Sequence, residues 1–247
     1  NQYVSSALLS WSVLKGQTLQ GKTIGIVGVG QVGSRIAKTC EILGMKVLLN
    51  DPPRERQEGS AHFVSLQEIQ DRADIISFHV PLNRGGVDNT FHMVNEEFLQ
   101  ALKNKAILIN TCRGEVFNTE AVCKARKSGV LSGLIIDCWE NEPELDLDLL
   151  SLADYGTSHI AGYSRDGKAN GTKRSVRAIS RFFSLGIDDW VPPGVELVTT
   201  ADISRLTHNM LDVLGGNATL GLISVLLLPC YFLELRFAVW VAVGIPF

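Results

Sequence analysis

Residues 23–33 of the chain read TIGIVGVGQVG, an apolar run that ends in three regularly spaced glycines. Gly28, Gly30 and Gly33 have the GxGxxG spacing that follows the first strand of a dinucleotide-binding unit. In such a unit Gly28 permits a tight turn, Gly30 lets the backbone approach a pyrophosphate, and Gly33 lets the next helix pack closely on the strand. The segment therefore predicts a strand, a phosphate-binding turn and a helix.

The residues after these glycines indicate which dinucleotide the turn would bind. Gln31 and Val32 complete the turn, and Asp51 ends the next apolar run. A carboxylate there accepts hydrogen bonds from the adenosine ribose and repels a 2′-phosphate, so the sequence predicts NAD rather than NADP. Arg54 and Arg56 follow closely and weaken that preference slightly. The alternative is a structural turn with incidental glycines, in which Asp51 is a solvated acid at a strand end.

The chain up to residue 162 alternates short apolar runs with helical stretches. Each run is continuous, as expected of a strand that is covered on both faces. Ser65 and Glu68 form a capping box at one helix start, and Gly129 stands where a helix should end. The pattern predicts an α/β fold with a doubly wound parallel sheet and only remnants of a second, substrate domain. The predicted strands are 23–29, 47–49, 75–80, 106–110 and 134–138.

The composition excludes several classes of protein. With 247 residues, 45% of them hydrophobic, the chain is neither disordered nor collagenous. Its 23 Lys and Arg nearly balance 26 Asp and Glu, so no nucleic-acid partner is expected. The cysteines form no CxxC pair and lie mostly in apolar runs, which predicts reduced buried thiols, no metal site and a cytoplasmic location. They are Cys40, Cys112, Cys123, Cys138 and Cys230.

The chain divides into four predicted segments. Residues 1–16 are a linker helix from a missing substrate-binding lobe, and residues 17–162 are the NAD-binding domain. Residues 163–212 are the start of a C-terminal region, with one long helix predicted over 173–185. Residues 213–247 are an apolar tail of uncertain origin.

The tail allows several interpretations. Residues 213–233 carry no charge and are about as long as the roughly 20 residues that span a bilayer. Glycines, an asparagine and Pro229 within the stretch, and the lack of a flanking basic cluster, disfavour a membrane span. A buried segment that forms an oligomer is a second interpretation. We favour a third, a frameshifted or misjoined end.

Three ionisable residues lie just past predicted strands, where an open parallel sheet places its chemistry. They are Arg113, Glu142 and His159. Oxidation of a 2-hydroxy acid by NAD needs a base, a cation for the carboxylate and a nearby hydride acceptor. Histidine serves as a base when a carboxylate orients it, and the planar fork of arginine binds both oxygens of a carboxylate. Each residue alone has an ordinary structural explanation, so the prediction depends on their meeting in one crevice.

Three segments carry a resemblance to a known family. INTCRG at 109–114, DCWENEP at 137–143 and HIAG at 159–162 resemble signatures of the D-isomer-specific 2-hydroxyacid dehydrogenases. The resemblance runs from residue 1 to about residue 210. The segment GTSHIAGY at 156–163 is similar to a branch of the family that acts on a phosphorylated four-carbon hydroxy acid in vitamin B6 biosynthesis. Ser158 stands where the family usually has proline.

The resemblance implies a role for each site residue. His159 would be the acid/base, Glu142 its partner, Arg113 the ligand of the substrate carboxylate, and Tyr163 a second substrate contact. Asp137 would bind the nicotinamide amide. The other implied cofactor contacts, besides the glycine turn, Asp51 and Arg113, are Val80, Thr111, Cys112 and Gly162. No residue is assigned to the substrate phosphate.

The activity and assembly of the chain are open at this stage. The implied reaction is NAD-dependent oxidation at C2 of the phosphorylated hydroxy acid. The chain alone is expected to bind NAD, but turnover needs both lobes to close and exclude water. Another hydroxy acid, such as glycerate, phosphoglycerate or lactate, is one alternative, and a non-catalytic NAD-sensing protein is another. A homodimer is implied by family analogy only.

Overall fold

The computed structural model describes residues 1–59, 62–163 and 165–190, without the side chains of residues 165 and 166. Residues 1–188 form one compact unit. The predictions for the apolar tail and for Cys230 lie outside the described residues. Within the described ranges no helix has the length and apolarity to cross a membrane.

The core of the unit is a six-stranded sheet with the order β2-β1-β3-β4-β5-β6, and every strand pair in it is parallel. This confirms the predicted α/β fold. The five predicted strands are present, but β1, β3 and β5 each end two residues earlier than expected. The sixth strand is only two residues long and was not predicted. The strands are β1 Thr23–Val27, β2 Lys46–Asn50, β3 Ile75–Phe78, β4 Ile107–Asn110, β5 Gly133–Ile136 and β6 Tyr155–Gly156.

The helices cover both faces of the sheet and begin mostly at capped residues. Side chains of Asp51, Ser65, Asn95, Asn118 and Asp146 accept hydrogen bonds from the first turns of α3 to α7. The helices are α1 Gln2–Lys15, α2 Gly33–Ile42, α3 Pro52–Glu58, α4 Leu66–Arg72, α5 Glu96–Gln100, α6 Thr119–Lys127, α7 Leu147–Leu152 and α8 Arg165–Phe183, with a 3₁₀ turn at Gly114–Val116.

Alternate residues of the central strands pack into two separate cores. Leu108 of β4 belongs to the core that contains Phe78, whose ring lies edge-on to Phe117 at 5.2 Å. Ile107 and Ile109 point into the other core, which α1 and α2 cover. A helix is therefore present within residues 1–16 as α1, and it packs on the sheet, while its role as a linker stays a prediction.

The long helix α8 corrects one prediction. It begins at Arg165, eight residues before the predicted start at 173. Gly167 and Gly171 favoured a later start, since each glycine costs a helix about 1 kcal/mol relative to alanine. Ala169 is 5% exposed, so packing of this first part offsets the unfavourable propensity. By contrast, the predicted stop at Gly129 is confirmed, because α6 ends at Lys127 and Gly129 has a φ of +77°.

The strand order places a crevice at one end of the sheet. The chain moves outward from β1 to β2, then returns to place β3 on the opposite side of β1. Ligands of open parallel sheets bind at such a reversal, beyond the carboxyl ends of the strands. Gly28 follows β1 there and His79 follows β3, so both loops border the crevice.

Candidate active site

The glycine turn has the shape that a dinucleotide phosphate requires. Gly28 has a φ of +90°, and a Cβ on it would lie 2.7 Å from the carbonyl carbon of His79. A Cβ on Gly33 would collide with the carbonyl oxygen of Gly28. A Cβ on Gly30 would meet no protein atom within 4 Å, so space is open beside the turn for a ligand. The first and third glycines thus shape the turn, and the middle one keeps its outer side open.

The start of α2 completes this phosphate site. Gln31 and Val32 are exposed, and no side chain caps the first turn of the helix, which begins at Gly33. Uncapped amides at a helix N-terminus favour an anion. The residues present therefore fit the pyrophosphate of NAD.

Asp51 lies beside the turn, as predicted, and also organises it. Its Oδ2 accepts a hydrogen bond from the Val29 amide at 2.8 Å, and its Oδ1 accepts one from the Arg54 amide at 3.1 Å. The Arg54 guanidinium pairs with Glu58 at 2.7 Å and donates to the Val29 carbonyl at 2.5 Å. Because Arg54 is engaged in this way, it does not present a free cation for a 2′-phosphate. This arrangement supports NAD over NADP.

A cavity of about 120 Å³ lies next to Asp51, between the loops that follow β2 and β3. Pro52 and Pro53 line it from one side, and Val80 and Pro81 from the other. Its apolar walls suit an adenine ring. Val80 therefore lines a cavity beside Asp51, and its contact with the cofactor stays a prediction.

Alanine at Gly33 and at Gly30 should separate the folding role of the turn from its binding role. Gly33→Ala is expected to lower the free energy of unfolding by about 3 kcal/mol because the new methyl group overlaps a backbone oxygen. Gly30→Ala should leave unfolding unchanged and weaken NAD binding by at least about 10-fold, since the methyl group occupies the ligand side. Urea unfolding and calorimetric titration with NAD measure the two effects. Equal NAD affinity for wild type and Gly30→Ala would contradict the assignment.

The three predicted catalytic residues line one cavity of about 370 Å³ at the carboxyl ends of β4 and β5. Arg113, Glu142 and His159 come from three different loops, each of which follows a strand. The convergence on which the sequence prediction depended is therefore present. The residues that line this cavity are Arg84, Phe91, Arg113, Gly114, Glu115, Trp139, Glu140, Asn141, Glu142 and His159.

His159 and Glu142 form a hydrogen-bonded pair. The His159 Nδ1 lies 2.8 Å from Glu142 Oε2, and the Trp139 amide donates to Glu142 Oε1 at 2.7 Å. The backbone of His159 has a φ of +55° and is fixed by its amide, which donates to the Asp137 carbonyl at 2.8 Å. With Nδ1 bound to a carboxylate, the ring nitrogen Nε2 is the atom that can exchange a proton with a substrate.

Arg113 is held by close contact between two loops. A Cβ on Gly114 would overlap the Trp139 carbonyl, so only glycine lets these loops meet. The Arg113 carbonyl accepts a hydrogen bond from Asn110 Nδ2 at 2.9 Å, and its guanidinium donates to the Cys112 carbonyl at 2.6 Å. These contacts hold the arginine at the wall of the cavity that the histidine pair also lines.

Asp137 has a structural role that the sequence interpretation missed. Its side chain is fully buried, and Oδ1 accepts from the Thr157 hydroxyl at 2.6 Å and from the Ile160 amide at 2.8 Å. Its Oδ2 accepts from the Ala161 amide at 2.8 Å. The Thr157 hydroxyl in turn lies 2.5 Å from the Tyr3 hydroxyl, which links α1 to the network. Asp137 thus fixes the loop both before and after His159.

The remaining predicted contacts do not line the 370 Å³ cavity. Thr111 is half-buried, and Cys112 is buried with its Sγ 3.3 Å from Asn110 Oδ1. Burial raises the pKa of the Cys112 thiol to about 11, so it is protonated at neutral pH. Gly162 is exposed, and Tyr163 is 70% exposed with Lys168 Nζ 3.2 Å from its ring centre. Their proposed contacts with cofactor and substrate stay predictions.

A second histidine–carboxylate pair includes Glu140, which lines the same cavity. His92 Nε2 lies 2.5 Å from Glu140 Oε1, and the Thr119 amide donates to Glu140 Oε2 at 3.1 Å. Burial of Glu140 opposes ionisation, but its hydrogen bonds from His92 and Thr119 outweigh that effect and lower the pKa of the carboxyl. Asn118 Nδ2 lies 3.3 Å from His92 Nδ1. The acidic DCWENEP motif was the only sequence signal for this pair.

The four described cysteines are all buried and free, which confirms the prediction for Cys40, Cys112, Cys123 and Cys138. Among the described residues, no three or more His, Cys, Asp or Glu side chains group in a way that would hold a metal ion.

A parallel sheet with this turn at its strand reversal, and with His159, Glu142 and Arg113 beyond its strands, defines the NAD-binding domain of a dehydrogenase. The family described as "D-isomer specific 2-hydroxyacid dehydrogenase, NAD binding domain" matches residues 3–161. The chain belongs to the D-isomer-specific 2-hydroxyacid dehydrogenase family.

Two curated relatives of the chain carry the same name. It is 49% identical over 214 residues to the erythronate-4-phosphate dehydrogenase of Bacteroides fragilis, a match that covers 85% of this chain and 62% of that relative. It is 40% identical over 230 residues to the enzyme of the same name from Escherichia coli, covering 89% of this chain and 61% of that one. The chain therefore spans about three fifths of the length of these curated relatives.

A solved structure shows the same fold. The D-lactate dehydrogenase of Aquifex aeolicus, in complex with NAD and lactic acid, is 31% identical to the chain, with a TM-score of 0.54. The match covers 71% of this chain and 58% of that one. This neighbour binds the predicted cofactor, NAD, and a small 2-hydroxy acid.

Proposed function

We propose that the protein oxidises 4-phospho-D-erythronate to its 2-oxo acid with NAD, a step of pyridoxal phosphate (vitamin B6) biosynthesis. The observation that carries the proposal is the meeting of Arg113, Glu142 and His159 in one cavity of about 370 Å³. The identities of 40–49% to erythronate-4-phosphate dehydrogenases support this substrate over glycerate, phosphoglycerate or lactate. Because the chain covers only part of those relatives, this activity belongs to the proposal.

The geometry supports a distinct role for each residue. His159 Nε2 removes the proton of the C2 hydroxyl, while Glu142 holds Nδ1 and stabilises the imidazolium that forms. Arg113 binds the substrate carboxylate with its planar guanidinium and fixes C2 near the histidine. NAD, when bound on the glycine turn, supplies the hydride acceptor. The reverse reaction uses the same groups, with His159 as the acid.

The proposal is tested with the purified chain in two measurements. Titration with NAD should give saturable binding, and addition of 4-phospho-D-erythronate should then produce NADH, seen as absorbance at 340 nm. D-glycerate, 3-phospho-D-glycerate and D-lactate serve as comparison substrates. No binding at millimolar NAD would contradict the cofactor assignment, and faster turnover of a comparison substrate would contradict the substrate assignment. NAD binding without any turnover would agree with the expectation that turnover needs both lobes, and it would overturn the proposed activity for this chain alone.

The cellular location and the oligomeric state of the protein are part of the same proposal. We place the protein in the cytoplasm, since four buried free thiols suit a reducing compartment. We also propose a homodimer. Helix α8 and the residues that follow it expose apolar side chains that suit a contact between subunits: Ile179, Phe182, Phe183 and Leu185.

A further inference from the structure

The phosphate of the substrate has no partner among the residues assigned so far. We infer that Arg84 binds this phosphate and sets the preference for a phosphorylated 2-hydroxy acid. The inference rests on the proposed function, because it concerns the far end of the same substrate.

Arg84 lines the same cavity as Arg113 and His159. Of the ten residues around that cavity, Arg84 and Arg113 alone carry a permanent positive charge. A substrate with a carboxylate at one end and a phosphate at the other needs a cation for each end. Since Arg113 is proposed to bind the carboxylate, Arg84 is the other permanent cation among these ten residues and is available for the phosphate.

The Arg84 guanidinium is held in place but has donors to spare. It lies over the Phe91 ring, with Cζ 4.3 Å from the ring centre, and its Nη2 is 3.4 Å from Glu115 Oε1. Its side chain is 59% exposed. A single long contact to Glu115 leaves most of the five N–H donors for a phosphate, which binds the planar fork of arginine well.

The acidic residues of the cavity are each matched with a positive or protonatable partner. Glu142 pairs with His159, Glu140 pairs with His92, and Glu115 pairs with Arg84 itself. Glu115 is the acid that a phosphate must displace or approach. Because its contact with Arg84 is the long one, it orients the guanidinium at a small cost to anion binding.

The loop that carries Arg84 is held by hydrogen bonds at its base and across its tip. The Asn83 amide donates to Thr90 Oγ1 at 2.8 Å, and Asn83 Nδ2 donates to the Asp88 carbonyl at 3.1 Å. Gly85 and Gly86 have φ values of +100° and +76°. Arg84 therefore projects from the ordered base of the loop, next to two glycines that let the chain turn away from the cavity.

Two variants of Arg84 and one control test the inference. The variants are Arg84→Ala and Arg84→Lys, and the control is Arg72→Ala, which removes an exposed arginine that pairs with Glu68 on α4, away from the cavity. For each protein, the dissociation constants of 4-phospho-D-erythronate and D-erythronate are measured with NADH present, together with NAD-dependent turnover of both.

Arg84→Ala should weaken binding of the phosphorylated ligand by roughly 10- to 100-fold, the usual effect of losing a charge-assisted contact. Binding of D-erythronate should stay unchanged, Arg84→Lys should retain part of the preference, and Arg72→Ala should match wild type. If Arg84→Ala keeps the wild-type preference, or if it weakens the binding of both ligands equally, the inference about Arg84 is overturned but the proposed function is not. A wild-type chain that binds neither ligand, or shows no preference for the phosphorylated one, would instead contradict the proposed function.

Discussion

Replacement of His159 by alanine should lower kcat for 4-phospho-D-erythronate by roughly 10²- to 10⁴-fold, the range found for loss of a general base. The NAD dissociation constant should not change, because the glycine turn and Asp51 lie in other loops. The side chain is partly exposed and bonds to Glu142 alone among the described side chains, so folding should be nearly unaffected. Stopped-flow measurement of NADH formation and an NAD titration give the two numbers.

Glu142→Gln is the companion variant for this prediction. If the glutamine oxygen accepts from the Trp139 amide, its NH₂ group faces His159 Nδ1 and can donate only to the tautomer that carries its proton on Nε2. The variant also no longer stabilises a charged imidazolium. Its kcat should therefore lie between those of wild type and His159→Ala. If His159→Ala turned over at the wild-type rate, His159 would not be the base.

The fold was predictable where a residue pattern reflects burial on both sides. Five strands lie under helices on two faces, and their continuous apolar runs report this directly. The sixth strand, Tyr155–Gly156, is too short to form a pattern and exists through its pairing with β5. The start of α8 was misplaced because two glycines oppose a helix locally, whereas packing of Ala169 favours it.

The site was predictable to the extent that parallel strands bring their carboxyl ends together. Arg113, Glu142 and His159 follow strand ends, so their meeting follows from topology alone. The contacts that hold them depend on loop conformations that no periodicity encodes. His92 and His159 both adopt positive φ values, +48° and +55°, outside the usual range for histidine. The sequence pattern therefore did not predict the pairs His92–Glu140 and Arg84–Glu115, which the structure shows.

The buried carboxylate of Asp137 should be the most sensitive position outside the reacting groups. Asp137→Ala would remove the buried acceptor of the Thr157 hydroxyl and of the Ile160 and Ala161 amides, and would leave Thr157 only the Tyr3 hydroxyl as a partner. An unpaired buried donor costs about 1–3 kcal/mol, so the free energy of unfolding should fall by about 3–5 kcal/mol. The His159 loop should also lose its position, and kcat should fall with it.

Two further variants separate the hydrogen bonds of Asp137 from its charge and from general surface effects. Asp137→Asn retains one oxygen for Thr157 and Ile160 but places an amide group against the Ala161 N–H, so its loss of stability should be smaller than that of alanine. Asp148→Ala removes an acid whose side chain is 75% exposed and should change little. Urea unfolding and kcat are measured for all three. The loop that carries His159 depends on this carboxylate, so the free energy of unfolding and kcat should fall together. Both should be highest for Asp148→Ala, lower for Asp137→Asn and lowest for Asp137→Ala. An Asp137→Ala protein with wild-type kcat would show that the loop is held by other contacts.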